Sequence, residues 1–232
     1  MQSTRPERIL SMDIRILILG VGCCLSIMPM SALSDQIDAN LSERIGMGDI
    51  EYGKELSNAE RCQECHGEDG NGNGTDLHTP KHAGQYADYL VKQLKDFQTG
   101  ARQHVTMNIM AEDLIELDMT DIAAYFASQK IMRGTSENEK TEGKRLFLTG
   151  DSSRGLQACS ECHGAGGKGR FVDGIAYPVI GGQRKAYLYR QLVNWKSGDR
   201  TNSPDGIMNK IARLLTEREI ESLSDYISGL SD

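Results

Sequence analysis

Residues 62–72 read CQECHGEDGNG, and residues 159–169 read CSECHGAGGKG. In each stretch two cysteines stand three positions apart, a histidine follows the second directly, and a glycine-rich run comes next. The aligned cysteines set an offset of 97, and the likeness continues beyond them. GQYADYLVKQLKDFQTGAR, from Gly84, lies over GQRKAYLYRQLVNWKSGDR, from Gly182, with Gln85, Tyr89, Leu90, Gln93, Leu94, Gly100 and Arg102 repeated as Gln183, Tyr187, Leu188, Gln191, Leu192, Gly198 and Arg200. Phe97 is answered by Trp195. Further on, MNIMAEDL lies over MNKIARLL, and Tyr125 falls on Tyr226. One repeat of this length is a tandem domain duplication, not a solenoid.

The N-terminal segment follows the order of a secretory signal. Arg5, Arg8 and Arg15 precede the apolar run ILILGVGCCLSIM, and Ala32 and Ser34 supply small residues for cleavage. The run is shorter than the roughly 20 residues a membrane span needs. Residues 1–34 are therefore expected as a signal peptide, with a retained anchor as the alternative, and the mature protein is expected in the periplasm. Of six cysteines, Cys23 and Cys24 leave with the signal. Cys62, Cys65, Cys159 and Cys162 remain, all inside the two motifs. No cysteine is left for an ordinary structural disulfide in an oxidising compartment.

The 232 residues are 38% hydrophobic and 6% aromatic, a thin supply of core for two domains of about 100 residues. Small domains of that kind commonly need a non-protein staple. The expected division is 35–132 for the first domain, 133–143 for a linker (RGTSENEKTEG, with no apolar side chain), and 144–232 for the second. Helical spacing of Tyr89, Leu90, Leu94 and Phe97, of Leu188, Leu192 and Trp195, and of Met119, Ile122, Ala123 and Phe126 predicts an all-α fold. Thr216 and Glu219 read as a capping box. About three helices per domain are expected, and no alternating strand pattern is evident.

Two thiols three positions apart can add to the two vinyl groups of one haem, and the histidine that follows reaches its iron. A zinc site across the two motifs would join separate domains and leave both histidines unexplained. A thioredoxin-like site needs a βαβ context that is missing. Two covalently bound haems c are thus expected, held by Cys62 and Cys65 and by Cys159 and Cys162, with His66 and His163 as proximal ligands. Methionine is the usual opposite ligand in electron carriers. Met107 and Met208 align, whereas Met110 falls on Ile211, and His78, His82 and His104 have no counterparts. Met110 and His104 stand as rivals to Met107. Pro80 and Pro178 precede the aligned Gly-Gln pairs, either as loop breakers or as carbonyl acceptors for the histidine Nδ1–H. Arg102 and Arg200 read either as partners of haem propionates or as solvated arginines.

Charge is uneven. Residues 35–131 carry 8 basic and 18 acidic side chains, and residues 132–232 carry 15 and 13. This acidic balance argues against nucleic acid and for a redox protein partner that senses orientation. A loose membrane association and the oligomeric state are left open.

These residues together resemble the dihaem cytochromes c of the cytochrome c4 family, over roughly Gly48 to Leu230. The resemblance rests on CQECHG and CSECHG, the GQ-x3-YL-x2-QL segment, SGDRTN, and MxxxAxxL followed by a helix ending near DYISGL. It implies two class I cytochrome c domains in tandem, related by a pseudo-twofold axis. Met107 and Met208 would be the axial methionines, and electrons would be carried in the periplasm toward a terminal oxidase or reductase. One departure is PKHAGQ in the first copy, where relatives show an apolar residue in place of His82. Against the carrier stand a peroxidase-like or thiosulfate-oxidising dihaem enzyme and a cytochrome subunit of a dehydrogenase complex. A pyridine haemochrome assay on the purified protein is expected to give two haems c per chain.

Overall fold

The computed structural model describes residues 42, 44–74, 76–134 and 142–231. The expected signal peptide and most of the expected linker lie outside these residues. The chain forms two helical lobes joined through Met132–Gly134. In the first lobe the helices are α1 (Ile50–Ala59), α2 (Cys62–His66), α3 (Ala87–Gln98), α4 (Val105–Ala111) and α5 (Glu116–Ser128). The second repeats them as α6 (Glu142–Thr149), α7 (Cys159–His163), α8 (Lys185–Ser197), α9 (Ile207–Arg213) and α10 (Glu217–Gly229). The expectation of about three helices per domain is too low. The missed ones, α2, α4, α7 and α9, are single- or two-turn segments too short to show a hydrophobic period.

Helix starts follow local chemistry. The Asp49 side chain accepts the Tyr52 N–H at 3.0 Å to open α1. The Thr216–Glu219 capping box opens α10, as the sequence predicts. Within each lobe the first and last helices cross at a glycine. A Cβ on Gly53 of α1 would collide with the Asp121 carbonyl of α5, and one on Gly143 of α6 with the Ser222 carbonyl of α10. The crossing packs each lobe's core. Leu90, Met119, Ile122 and Phe126 fill the first, and Leu146, Phe147, Leu215, Ile220 and Leu223 fill the second.

A short antiparallel hairpin interrupts the all-α pattern. β1 (Arg170–Val172) pairs with β2 (Ile175–Tyr177), Val172 opposite Ile175. Asp173 and Gly174 between them both have positive φ, the two-residue turn that Asp-Gly favours. Three-residue strands are too short to reveal an alternation. The hairpin leans on the first lobe, with Phe171 stacked 6.3 Å from Tyr86.

The lobes meet through reciprocal glutamines. Gln85 donates from Nε2 to the Val179 carbonyl at 2.9 Å, and its Oε1 accepts the Val179 N–H at 2.8 Å. Gln183 makes the same two bonds to Lys81, at 2.9 and 2.8 Å. Each lobe thus supplies one side chain that pairs both backbone groups of a loop residue in the other. Between these pairs sit Ala83, Tyr86, Met132 and Val179, a small apolar core shared by both lobes.

Gln85→Ala would strand the buried Val179 N–H and C=O, each at a cost of about 1–3 kcal/mol. The expected outcome is a stability loss of about 2 kcal/mol or more in denaturant titration. Gln85→Glu, which keeps the acceptor but replaces the donor with a buried carboxylate facing the Val179 carbonyl, should also destabilise, and more so as pH rises.

Candidate functional site

Each CxxCH stretch forms one helical turn, so its two thiols fall on the same side and the histidine closes the turn. His66 and His163 are both buried. The Nδ1 of His66 lies 2.9 Å from the Pro80 carbonyl, and that of His163 lies 2.9 Å from the Pro178 carbonyl. A carbonyl only accepts, so Nδ1 carries the proton and Nε2 is left with its lone pair. Of the two readings of these prolines, the acceptor is the one the structure shows. Burial is the main cause that holds both imidazoles below their ordinary pKa, which keeps them neutral and able to ligate a metal.

The four cysteines are unpaired thiols. Burial pushes Cys62 and Cys159 up to about 11, so both are protonated near neutral pH. Among the described residues no three His, Cys, Asp or Glu side chains converge on one point. Two thiols on one helical turn, followed directly by a histidine, suit attachment to the two vinyl groups of one haem.

Met107 and Met208 lie on the short helices α4 and α9. Both helices are held alike by the residue after the methionine. Asn108 donates to the carbonyls of Phe97 and Arg102, at 2.6 and 3.0 Å, and Asn209 to those of Trp195 and Arg200, at 2.8 and 2.7 Å. His104, the rival ligand, is exposed, and its Nδ1 accepts the Met107 N–H at 3.3 Å as the cap of α4. His78 is exposed. His82 is half-buried, with its ring centroid 4.0 Å from that of His66 and its other side toward Phe126. Burial holds its imidazole well below the ordinary value. It occupies the apolar place of Ile180 as a neutral ring.

Arg102 and Arg200 are buried, not solvated. They face each other across the lobe boundary. Arg102 donates to Gln93 at 2.7 Å, and across the boundary to Gln191 at 2.9 Å and Tyr187 at 3.0 Å. Arg200 donates to Gln191 at 2.7 Å and across to Gln93 at 2.9 Å. Among the described residues neither makes an ion pair. Buried cations without counter-charge are costly, and two haem carboxylates fit that deficit. The buried Nε atoms of Arg184 and the indole Nε1 of Trp195 also find no acceptor. The donor set fits a group that brings its own carboxylates. Gln85, Gln93 and Asn108, with their repeats, carried no role in the sequence reading. Their signal was identity of polar residues in both copies, where a surface position would have drifted.

The cytochrome c family matches residues 50–130. Cytochrome c4 of Pseudomonas aeruginosa is 40% identical over 171 residues, covering 73% of this chain and 83% of that protein. A thiosulfate dehydrogenase electron acceptor from Thiomonas intermedia is 34% identical over 175 residues, covering 74% and 79%. The crystal structure of reduced recombinant cytochrome c4 from Pseudomonas stutzeri superposes with a TM-score of 0.72 at 38% identity, covering 79% of this chain and all of that one.

Asn209→Ala is expected to free the carbonyls of Trp195 and Arg200 and cost about 1–3 kcal/mol. Asn108→Ala should cost a similar amount in the first lobe. Thermal or denaturant unfolding of the two variants checks both.

Proposed function

The chain belongs to the cytochrome c4 family of dihaem electron carriers, and within it we propose a specific ligand set and division of labour. His66 and Met107 hold the iron of the first haem, with Cys62 and Cys65 as its covalent anchors. His163 and Met208 hold the second, anchored by Cys159 and Cys162. The mature chain begins near residue 35, with one haem domain over 35–132, a linker over 133–143 and the second domain over 144–232. The signal-like segment supports export to the periplasm. Among the described residues no helix is long and apolar enough to cross a membrane.

The observation that carries this reading is the doubled histidine geometry. In both lobes an imidazole is buried, neutral and oriented by a proline carbonyl, with Nε2 free. When bound, each haem supplies a one-electron ferric/ferrous couple, and a methionine opposite histidine raises its potential. The chain's own residues would hold the ligands of both haems in place. The Pro80 and Pro178 carbonyls hold the imidazole planes. Asn108 and Asn209 hold the helices that carry the methionines. Gln85 and Gln183 hold the loops that carry the prolines, each from the opposite lobe. With His66 and Met107 on one iron and His163 and Met208 on the other, neither haem would keep a position open for a substrate, which supports a carrier over an enzyme.

The acidic first lobe and the near-neutral second present different faces to partners. A terminal oxidase or reductase is the proposed acceptor. A thiosulfate-oxidising dehydrogenase is the second reading for the donor, favoured by the relative that is named as the electron acceptor of such an enzyme.

Met107→Ala is expected to abolish half of the weak near-infrared band that marks methionine bound to ferric haem, and to lower one of the two potentials. Met110→Ala should leave both unchanged. The reverse outcome would assign the ligand to Met110, and a full band in both variants would remove methionine from the first site.

A further inference from the structure

The two proximal loops are pseudo-symmetric in backbone and unlike in charge. After the first CxxCH turn, the Gly72 N–H donates to the His66 carbonyl at 2.6 Å; after the second, Gly169 does the same to His163 at 2.9 Å. Both glycines have positive φ, 81° and 74°, and both lie against a side chain from the other lobe. At Gly169 that side chain is the ring of Tyr86. At Gly72 it is the guanidinium of Arg184. A Cβ on Gly72 would fall 2.2 Å from Arg184 Nη2, so in this arrangement the guanidinium fills the space that a side chain at position 72 would take.

Arg184 donates from Nη2 to the Asn71 carbonyl at 3.1 Å, and its Nε is buried without an acceptor. Among the described residues no carboxylate pairs with it. Lys81, next to Pro80, adds a second cation on the same loop, with its ammonium on the Gly182 carbonyl at 2.7 Å and the Arg133 carbonyl at 3.2 Å. Its counterpart in the second lobe is Val179. Asp69 is the acidic group near this cluster, and it is turned to Asn71 at 2.9 and 3.0 Å. The paired Arg102 and Arg200 are common to both lobes and create no difference between them.

We propose that Arg184, reaching from the second lobe, is a tuning residue for the first haem, whose potential it raises by placing an unneutralised cation beside the proximal loop of His66. A nearby positive charge favours the reduced iron, which carries one positive charge fewer, and Arg184 is half-buried with its Nε shut off from solvent, so the effect is screened less than at an exposed site. The second haem has Tyr86 and Val179 in the corresponding places and lacks this lift. The potential of the first site thereby depends on the lobe interface being closed. The inference rests on the ligand reading above.

The test is a spectroelectrochemical titration of the dihaem protein and its Arg184→Gln and Arg184→Lys variants. Each haem is followed by its paramagnetically shifted methyl proton signals, the first haem's set being the one that Met107→Ala displaces. In Arg184→Gln the first haem is expected to titrate lower, by about a tenfold change in its reduced-to-oxidised ratio, or about 59 mV for one electron. Arg184→Lys should retain most of the native value, and the second haem should be unmoved. An unchanged first potential in Arg184→Gln, or equal shifts in both variants, overturns the proposal, since packing alone would then account for the residue. If Arg184→Gln fails to fold, Lys81→Gln reads the same loop charge and should shift the first haem the same way. A wild-type protein without the near-infrared methionine band overturns the ligand reading itself, and this is seen before any variant is made.

Discussion

Gln85 and Gln183 are the contacts on which the rest of the molecule depends. Each pairs the N–H and C=O of one residue in the opposite lobe, Val179 or Lys81, directly after the proline whose carbonyl orients a histidine. A buried backbone amide must be bonded somewhere. Here the partner is supplied only when the two lobes are in contact. Ligand orientation in one half of the protein is thus a property of the other half. That coupling gives a physical reason for two copies in one chain, beyond the doubling of a haem count.

The same interface solves an electrostatic problem. Arg102 and Arg200 are buried face to face, sharing the Gln93 and Gln191 side chains as acceptors. Their rings of contact include Phe97 and Trp195, each lying under a guanidinium at 4.6 and 4.0 Å. Two cations in such a place need negative charge from a source other than these side chains. The carboxylates of a bound haem would meet that need and would tie the stability of the interface to the presence of the cofactor. Deviations from the twofold pattern then matter most. Arg184 against Tyr86, Lys81 against Val179, and His82 against Ile180 make two chemically different sites from one backbone plan.

Much of this was legible in the residues. The spacing of Cys62, Cys65 and His66, repeated at Cys159, Cys162 and His163, was enough to identify the cofactor and the duplication. The repeat also nominated Met107 and Met208 and marked the proline pair. The crossing of α1 with α5 was not legible. Gly53 and Gly143 stand 90 apart while the cysteine motifs stand 97 apart, so a loop insertion hides the match. The hairpin after the second motif was announced only by Asp173-Gly174, with strands too short to alternate. The solvated alternative for Arg102 and Arg200 failed because burial by a second lobe leaves no trace in local composition.

The sequence by itself determined the chemistry: which side chains can bond a haem, how many haems there are, and where α10 starts, because these follow from spacings of three or four residues along one chain. Only the tertiary structure decided which groups face one another across the lobes. Gln85 with Val179 and Arg184 with Gly72 are separated by 94 and 112 positions, and no periodicity in a sequence encodes a contact between surfaces that meet only after both halves have folded.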